Sequence, residues 1–243
     1  VAAGLANHRI PAPARTGPLW DGVQKPFRLE PVTSPAALAR LVSREYADTA
    51  APPKGPALVV VNTVDRALAV YDALRRDKSA KAAGTGIRLV HGRFRPADRA
   101  NWAEAFLNRS ECASGVNRII VSTQVIEAGV DFSAVLLVTE LAPWASLVQR
   151  FGRCARWGGD GLVIIADFAP KSDREAAPYL QEDLDAAREA LTHLEDVSPR
   201  HLEAFEDRHP ELLPRLFPYA PPHLLLAHEL EELFDTAPDL SGA

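Results

Sequence analysis

The stretch Gln149-Arg150-Phe151-Gly152-Arg153-Cys154-Ala155-Arg156 holds the residue types best suited to chemistry. Guanidinium groups donate planar, paired hydrogen bonds that match phosphate oxygens. Continued as a helix from near Pro143, at about 100° per residue, it places Gln149, Arg153 and Arg156 within ~60° of one another. Trp144, Val148, Phe151 and Ala155 then form an apolar stripe on the opposite side. No acid lies within the stretch, so two outward cations and an amide suit a multiply charged anion, a transferring phosphoryl group foremost. The bland alternative is a solvated basic helix. Gly152 weighs against it, because a mid-helix glycine costs about 1 kcal/mol relative to alanine and signals close backbone approach.

A second segment, Ser122-Thr123-Gln124-Val125-Ile126-Glu127-Ala128-Gly129-Val130-Asp131-Phe132, ends a strand in hydroxyls. A short helical turn follows, and Gly129 allows a tight bend that presents Asp131. Hydroxyls and free amides suit a nucleic-acid phosphate, while the glycine and the carboxylate suit ribose or metal-bound water.

Positioning these groups requires a scaffold, and the apolar runs supply one. Ala57–Val61, Ile87–Val90, Arg118–Val121, Ala134–Thr139 and Gly161–Ala166 read as buried strands. Val64–Arg76, capped by Thr63, and Pro96–Leu107 read as helices between them. Continuous apolar strands alternating with helices mean a parallel sheet covered on both faces, an α/β fold. Ligands of such sheets gather at the carboxyl ends of the strands. Asn62 and Thr63, then His91 and Arg93, then Ser122, Thr123 and Gln124 stand there.

Upstream, residues 1–33 read as an incoming linker or edge segment, and Ser34-Pro35 opens a helix whose buried face is Leu38, Leu41, Val42 and Tyr46. Downstream of Pro170 the sequence turns helical and acidic, over Pro178–Glu195, Pro199–Arg208 and Pro222–Phe234. The expected division is residues 1–56 as linker and N-terminal helix, 57–170 as the α/β body, and 171–243 as an acidic helical linker or the start of an accessory domain. Of 32 acidic and 27 basic residues, 17 and 5 lie from Ser172 onward, leaving 15 and 22 in the body. A net charge of −5 thus conceals a basic body able to carry a phosphate-binding groove.

The two cysteines, Cys112 and Cys154, have no zinc or disulfide spacing, and no metal site is expected. No apolar run approaches the ~18 to 20 residues of a membrane helix, so the expected location is cytoplasmic. The chain begins with Val1 and lacks methionine, as expected of a stretch from a longer polypeptide.

About 20 residues apart in the chain, Ser122–Phe132 and then Gln149–Arg156 resemble the fifth and sixth motifs of superfamily two helicases, respectively. Asn62-Thr63 after ALVVV resembles the fourth motif, and His91-Gly92-Arg93-Phe94 with Asp98-Arg99 the loop and helix after it. The likeness spans about residues 57 to 168, a second RecA-like lobe followed by a helical C-terminal extension. STQVIEAGVDFS, ELAPWASLVQRFGRCARWGG and the tail LFDTAPDLSG narrow it towards the CRISPR-associated helicase-nuclease of type I systems.

The resemblance implies ATP and Mg2+ held between two lobes, the phosphate-binding lysine loop belonging to the first, which is missing from this sequence. Arg153 and Arg156 would be arginine fingers, Gln149 would orient water or sense the γ-phosphate, and Gly129 and Asp131 would meet the nucleotide. Asn62, Thr63, His91, Arg93, Ser122, Thr123 and Gln124 would line a single-stranded DNA track. The implied partners are the first lobe, single-stranded DNA and the Cascade surveillance complex, the implied movement is 3′ to 5′, and this lobe alone would be inactive. Alternatives are a restriction-system translocase, an RNA helicase or a nonenzymatic RecA-like scaffold.

Overall fold

Residues 15–49 and 55–218 are described by the computed structural model of this chain. The Pro222–Phe234 helix, His223, His228 and the LFDTAPDLSG tail fall outside them.

Six parallel strands make the central sheet: β1 (Phe27–Pro31), β2 (Ala57–Val60), β3 (Gly86–Val90), β4 (Arg118–Ser122), β5 (Leu136–Glu140) and β6 (Leu162–Asp167), in the spatial order β1-β6-β5-β2-β4-β3. All five strands read from the sequence are present. The sixth lies in the stretch read as linker or edge segment, where Phe27–Pro31 pairs with Val163–Asp167 as an edge strand.

Alternation of side chains divides the core between the two faces of the sheet. Leu58, Val60, Ile120, Leu137, Val163 and Ile165 point to one side. Ala57, Val59, Val61, Ile119, Val121, Leu136, Val138 and Ile164 point to the other. The second face is covered by α1 (Pro35–Thr49), through Leu38, Val42 and Tyr46, and by α2 (Val64–Arg76), through Ala67, Val70 and Leu74. Both helices begin as their side chains dictate. Ser34 Oγ accepts from Ala37 N at 3.2 Å and Thr63 Oγ1 from Arg66 N at 3.2 Å, each satisfying an amide that has no intrahelical partner.

The first face is covered by α3 (Trp144–Phe151), α4 (Gln181–Leu191) and α5 (Pro199–Arg208). Leu184, Ala187 and Leu191 of α4 and Leu202 and Phe205 of α5 join Trp144, Leu147 and Phe151 in one cluster. Trp144 and Phe205 lie 5.2 Å apart, centroid to centroid. The acidic helices therefore share the core of the sheet.

One predicted helix is different. Pro96–Leu107 is broken into single turns at Pro96–Arg99 and Trp102–Ala105. An aromatic chain runs past the break, with His91 stacked on Phe94 at 4.2 Å, Phe94 edge-on to Trp102 at 5.0 Å and Trp102 tilted against Phe106 at 6.3 Å. Ring packing overrides helix propensity here.

Candidate nucleotide and nucleic-acid site

The arginine segment is not one helix. Gly152 caps α3, donating its N–H to Val148 O at 3.1 Å, and Arg153 N and Cys154 N turn back to Arg150 O and Phe151 O at 2.8 and 3.1 Å. Beyond the turn the chain pairs with the approach to β5: Ala134 N donates to Arg153 O at 2.8 Å, and Ala155 N to Ala134 O at 3.0 Å. Ala155 has a φ of +43°, outside helical space. The expectation that Gln149, Arg153 and Arg156 share a helix face is thereby overturned. Strand-like pairing of residues 153–155 supplies hydrogen bonds that a further helical turn would have to forgo, and Gly152 marks the exit, not a mid-helix contact.

Nor do both arginines point outward without partners. Arg153 is 7% exposed, and its guanidinium donates to Ile126 O at 2.9 Å, Val130 O at 2.6 Å and Glu127 O at 2.5 Å. Burial, followed by the nearby Arg156 charge, lowers its pKa. Arg156 is more open, and its Nε donates to Asp131 Oδ1 at 2.9 Å. Its own N–H donates to Ser133 Oγ at 2.9 Å. The arginines thus grip the loop 126–131 at several points, so the two segments singled out in the sequence meet in space. Gln149 is exposed on the last turn of α3.

Within that loop Gly129 has a φ of +72°, with nothing within 4 Å of where a Cβ would stand. Only the backbone demands glycine there. Gly129→Ala is expected to cost about 1–2 kcal/mol, read as a melting temperature lower by roughly 2–8 °C in a thermal scan of the lobe.

The strand-end row assembles at one edge but is not uniformly available. Asn62 is buried and fully engaged: its N–H donates to Glu140 Oε2 at 2.9 Å, its Nδ2 to Leu141 O at 2.8 Å, and its Oδ1 accepts from Arg150 Nη1 at 3.1 Å. Ser122 is fully buried and donates to Thr123 O at 3.0 Å. The strand-contacting roles expected of Asn62 and Ser122 are therefore corrected to scaffolding, because neither side chain reaches the surface. Thr63 spends its acceptor on the α2 cap, and Gln124 Nε2 donates to Asn62 O at 3.0 Å. Thr123 is 3% exposed and His91 7%, with His91 Nδ1 lacking a partner among the described residues. Burial, then Arg93, lowers the His91 pKa. Arg93 is exposed and reaches Asp65 at 3.3 Å.

These motifs, on this sheet, can be set beside known proteins. Residues 53–158 match the family model for the C-terminal part of the CRISPR-associated nuclease/helicase Cas3. Over that stretch, less than half of the chain, the sequence is similar to the C-terminal part of Cas3. The CRISPR-associated helicase Cas3 of Thermoproteus tenax is 34% identical over 137 residues, 56% of this chain and 22% of that protein. A putative CRISPR-associated nuclease/helicase Cas3 of Myxococcus xanthus is 39% identical over 106 residues, 42% of this chain and 13% of its own length. The crystal structure of T. fusca Cas3 with AMPPNP superposes with a TM-score of 0.62 at 20% identity, covering 91% of this chain and 26% of that one. The matched region is thus a small part, about a fifth or less, of these two relatives' length.

Among the described residues the side chain with the most hydrogen-bond partners in this segment is Arg150, to which the sequence assigns no role. Arg150 is fully buried and donates to Glu127 Oε1 at 2.8 Å, Asn62 Oδ1 at 3.1 Å, Thr139 Oγ1 at 3.0 Å, Glu140 O at 3.1 Å and the Tyr179 hydroxyl at 3.3 Å. It joins the ends of β2 and β5, the loop after β4 and the segment before α4. Glu140, buried beside it, also pairs with Arg66, whose guanidinium lies over Phe168 at 4.4 Å. Burial raises the Glu140 pKa, against the pull of Arg66, the Asn62 amide and Arg150. A signal existed: Arg150 lies between Leu147 and Phe151, both fully buried, where an unpaired cation would be costly.

Cys154 lies in the same segment but is sealed. It is fully buried, and burial pushes its thiol up to about 12, which leaves packing as its role.

Proposed function

We propose that this lobe is the second half of an ATP-driven DNA motor, the helicase part of a CRISPR interference helicase-nuclease. The observation that carries this reading is the loop after β4. It starts in the strand-end row at Ser122, Thr123 and Gln124 and ends at Asp131, against Arg156. One short segment therefore touches both the edge where a strand would run and the arginines that would face a nucleotide.

Arg156, Gln149, Asp131 and the two guanidinium N–H donors that Arg153 does not spend on the loop fit a nucleotide phosphate and ribose. Bound between two lobes, ATP supplies the free energy of phosphoryl transfer, and these side chains orient and neutralise. Among the described residues no group of His, Cys, Asp or Glu is placed to hold a metal ion, and Mg2+ falls to first-lobe residues. Thr63, Gln124, His91 and Arg93 are left to grip a single strand by its backbone, with Thr123, as buried as Asn62, behind them. Recruitment by Cascade, 3′-to-5′ movement and inactivity of the lobe alone belong to the same proposal. Among the described residues no helix is long and apolar enough to cross a membrane.

The test compares this lobe with a protein that joins it to a first lobe bearing a phosphate-binding lysine loop. The joined protein should hydrolyse ATP when single-stranded DNA is added, and the lobe alone should not. Its DNA affinity should fall steeply with salt, and it should displace strands from 3′-tailed and not 5′-tailed duplexes. A joined protein that binds DNA without regard to salt and turns over no ATP would instead be a nonenzymatic scaffold.

A further inference from the structure

Lys25 is 3% exposed, although lysine is rarely buried without a paired acid. Its Nζ donates to Phe151 O, the last carbonyl of α3, at 2.9 Å. A cation there also meets the negative end of the helix dipole. The main chain around it is pinned as well. Lys25 N donates to Asp196 Oδ2 at 2.7 Å, and Val197 N to Lys25 O at 3.0 Å. On the preceding side, Val23 and Gln24 pair with Gly159 and Asp160, and Gly161 N donates to Gln24 O at 2.9 Å.

Residues 23–25 therefore hold the arginine segment at both ends, at Phe151 before it and at Gly159–Gly161 after it. Arg153 and Arg156 lie between the two anchors. The charged and titratable groups around the ammonium are Asp196, Cys154 and Arg156. Burial lowers the Lys25 pKa, with Cys154 and Asp196 opposing and Arg156 reinforcing. No direct ion pair to Lys25 exists among the described residues. Stability alone does not call for a buried cation in this place, since an apolar side chain of similar length would fill it without the desolvation cost.

We propose that Lys25 is a positioning residue for the arginine segment: by holding the Phe151 carbonyl it fixes the direction in which Gly152–Arg156 leaves α3, and so where Arg153 and Arg156 stand when a nucleotide is gripped. This rests on the motor reading above. Lys25 itself touches no nucleotide in this arrangement; it acts through the main chain.

The test uses a two-lobe protein and compares affinity for a nonhydrolysable ATP analogue with affinity for ADP plus aluminium fluoride, which mimics the transferring phosphoryl group. Lys25→Met should leave the ATP analogue within about twofold and weaken the aluminium fluoride complex at least tenfold. Lys25→Arg should recover most of that loss. It keeps a long cationic donor, and a cavity of about 370 Å³ beside Lys25, Gly152, Trp20 and Leu202 has room for the larger head. A merely structural loss would lower the number of binding sites and leave the ratio of affinities unchanged.

Arg156→Ala serves as the benchmark. If it weakens the aluminium fluoride complex while Lys25→Met changes neither affinity, or changes both equally, the positioning role is refuted and the motor reading survives. If Arg156→Ala has no effect, the motor reading falls and this inference with it. Should the methionine variant fail to fold, Lys25→Gln, which keeps a donor on a shorter stem, is read against the same outcomes.

Discussion

Arg156→Ala, in a protein carrying both lobes, is expected to lower DNA-stimulated ATP turnover by about 10³-fold or more, the order of effect of an arginine that stabilises a transferring phosphoryl group. The same change should leave the lobe's melting temperature nearly untouched. The Arg156 side chain is 39% exposed and its partner Asp131 63%, and exposed ion pairs contribute about 0–1 kcal/mol. The separation of the two readouts is what makes this residue informative. Arg153 is a poorer probe of chemistry, because three loop carbonyls depend on its guanidinium. Steady-state ATPase with saturating single-stranded DNA, alongside a thermal scan, checks the expectation; turnover within threefold of the parent would remove Arg156 from the chemistry.

Arg150→Met should do the reverse, acting on stability first. It keeps most of the side-chain volume but strands Glu127, the Asn62 amide oxygen, Thr139 and the Glu140 carbonyl without their donor. Removing one partner from a buried charged network typically costs about 3–5 kcal/mol. For a lobe of this size that corresponds to a melting temperature lower by roughly 6–20 °C, measurable by calorimetry or by the denaturant midpoint. A variant that melts with the parent would show that the network stabilises nothing. Because Arg150 joins the loop after β4 to the ends of β2 and β5, folded survivors should also have a loosened 126–131 loop.

The contrast between these arginines shows where sequence reasoning succeeds. The sheet was legible because strands buried on both faces are runs of apolar residues, as in Ala57–Val61 and Gly161–Ala166. The start of α2 was legible because a threonine cap works through bonds three residues away. The end of α3 was not, since what stops it is pairing of Cys154 with Ala134, 20 residues upstream. For Arg150, its apolar neighbours Leu147 and Phe151 hint at burial, but its carboxylate, Glu127, is 23 residues distant and no helical spacing reveals that partner. Strand ends usually expose their polar groups, which points Asn62 and Ser122 towards DNA, and nothing local shows that Arg150 and Glu140 hold Asn62 from below or that the Ser122 hydroxyl turns back to the Thr123 carbonyl. The resemblance placed the right segments side by side, but the division of labour among the arginines comes from long-range contacts.

The sealed thiol of Cys154 has a practical corollary. Cys112 is partly accessible, whereas Cys154 is enclosed between the arginine turn and Gly161, where even a methyl group would come within 2.4 Å of its sulfur. An alkylating reagent should therefore find Cys112 in the native lobe and reach Cys154 only through transient opening of the arginine turn. The lag between the two modifications then times how often that turn breathes, with no label introduced and no residue replaced.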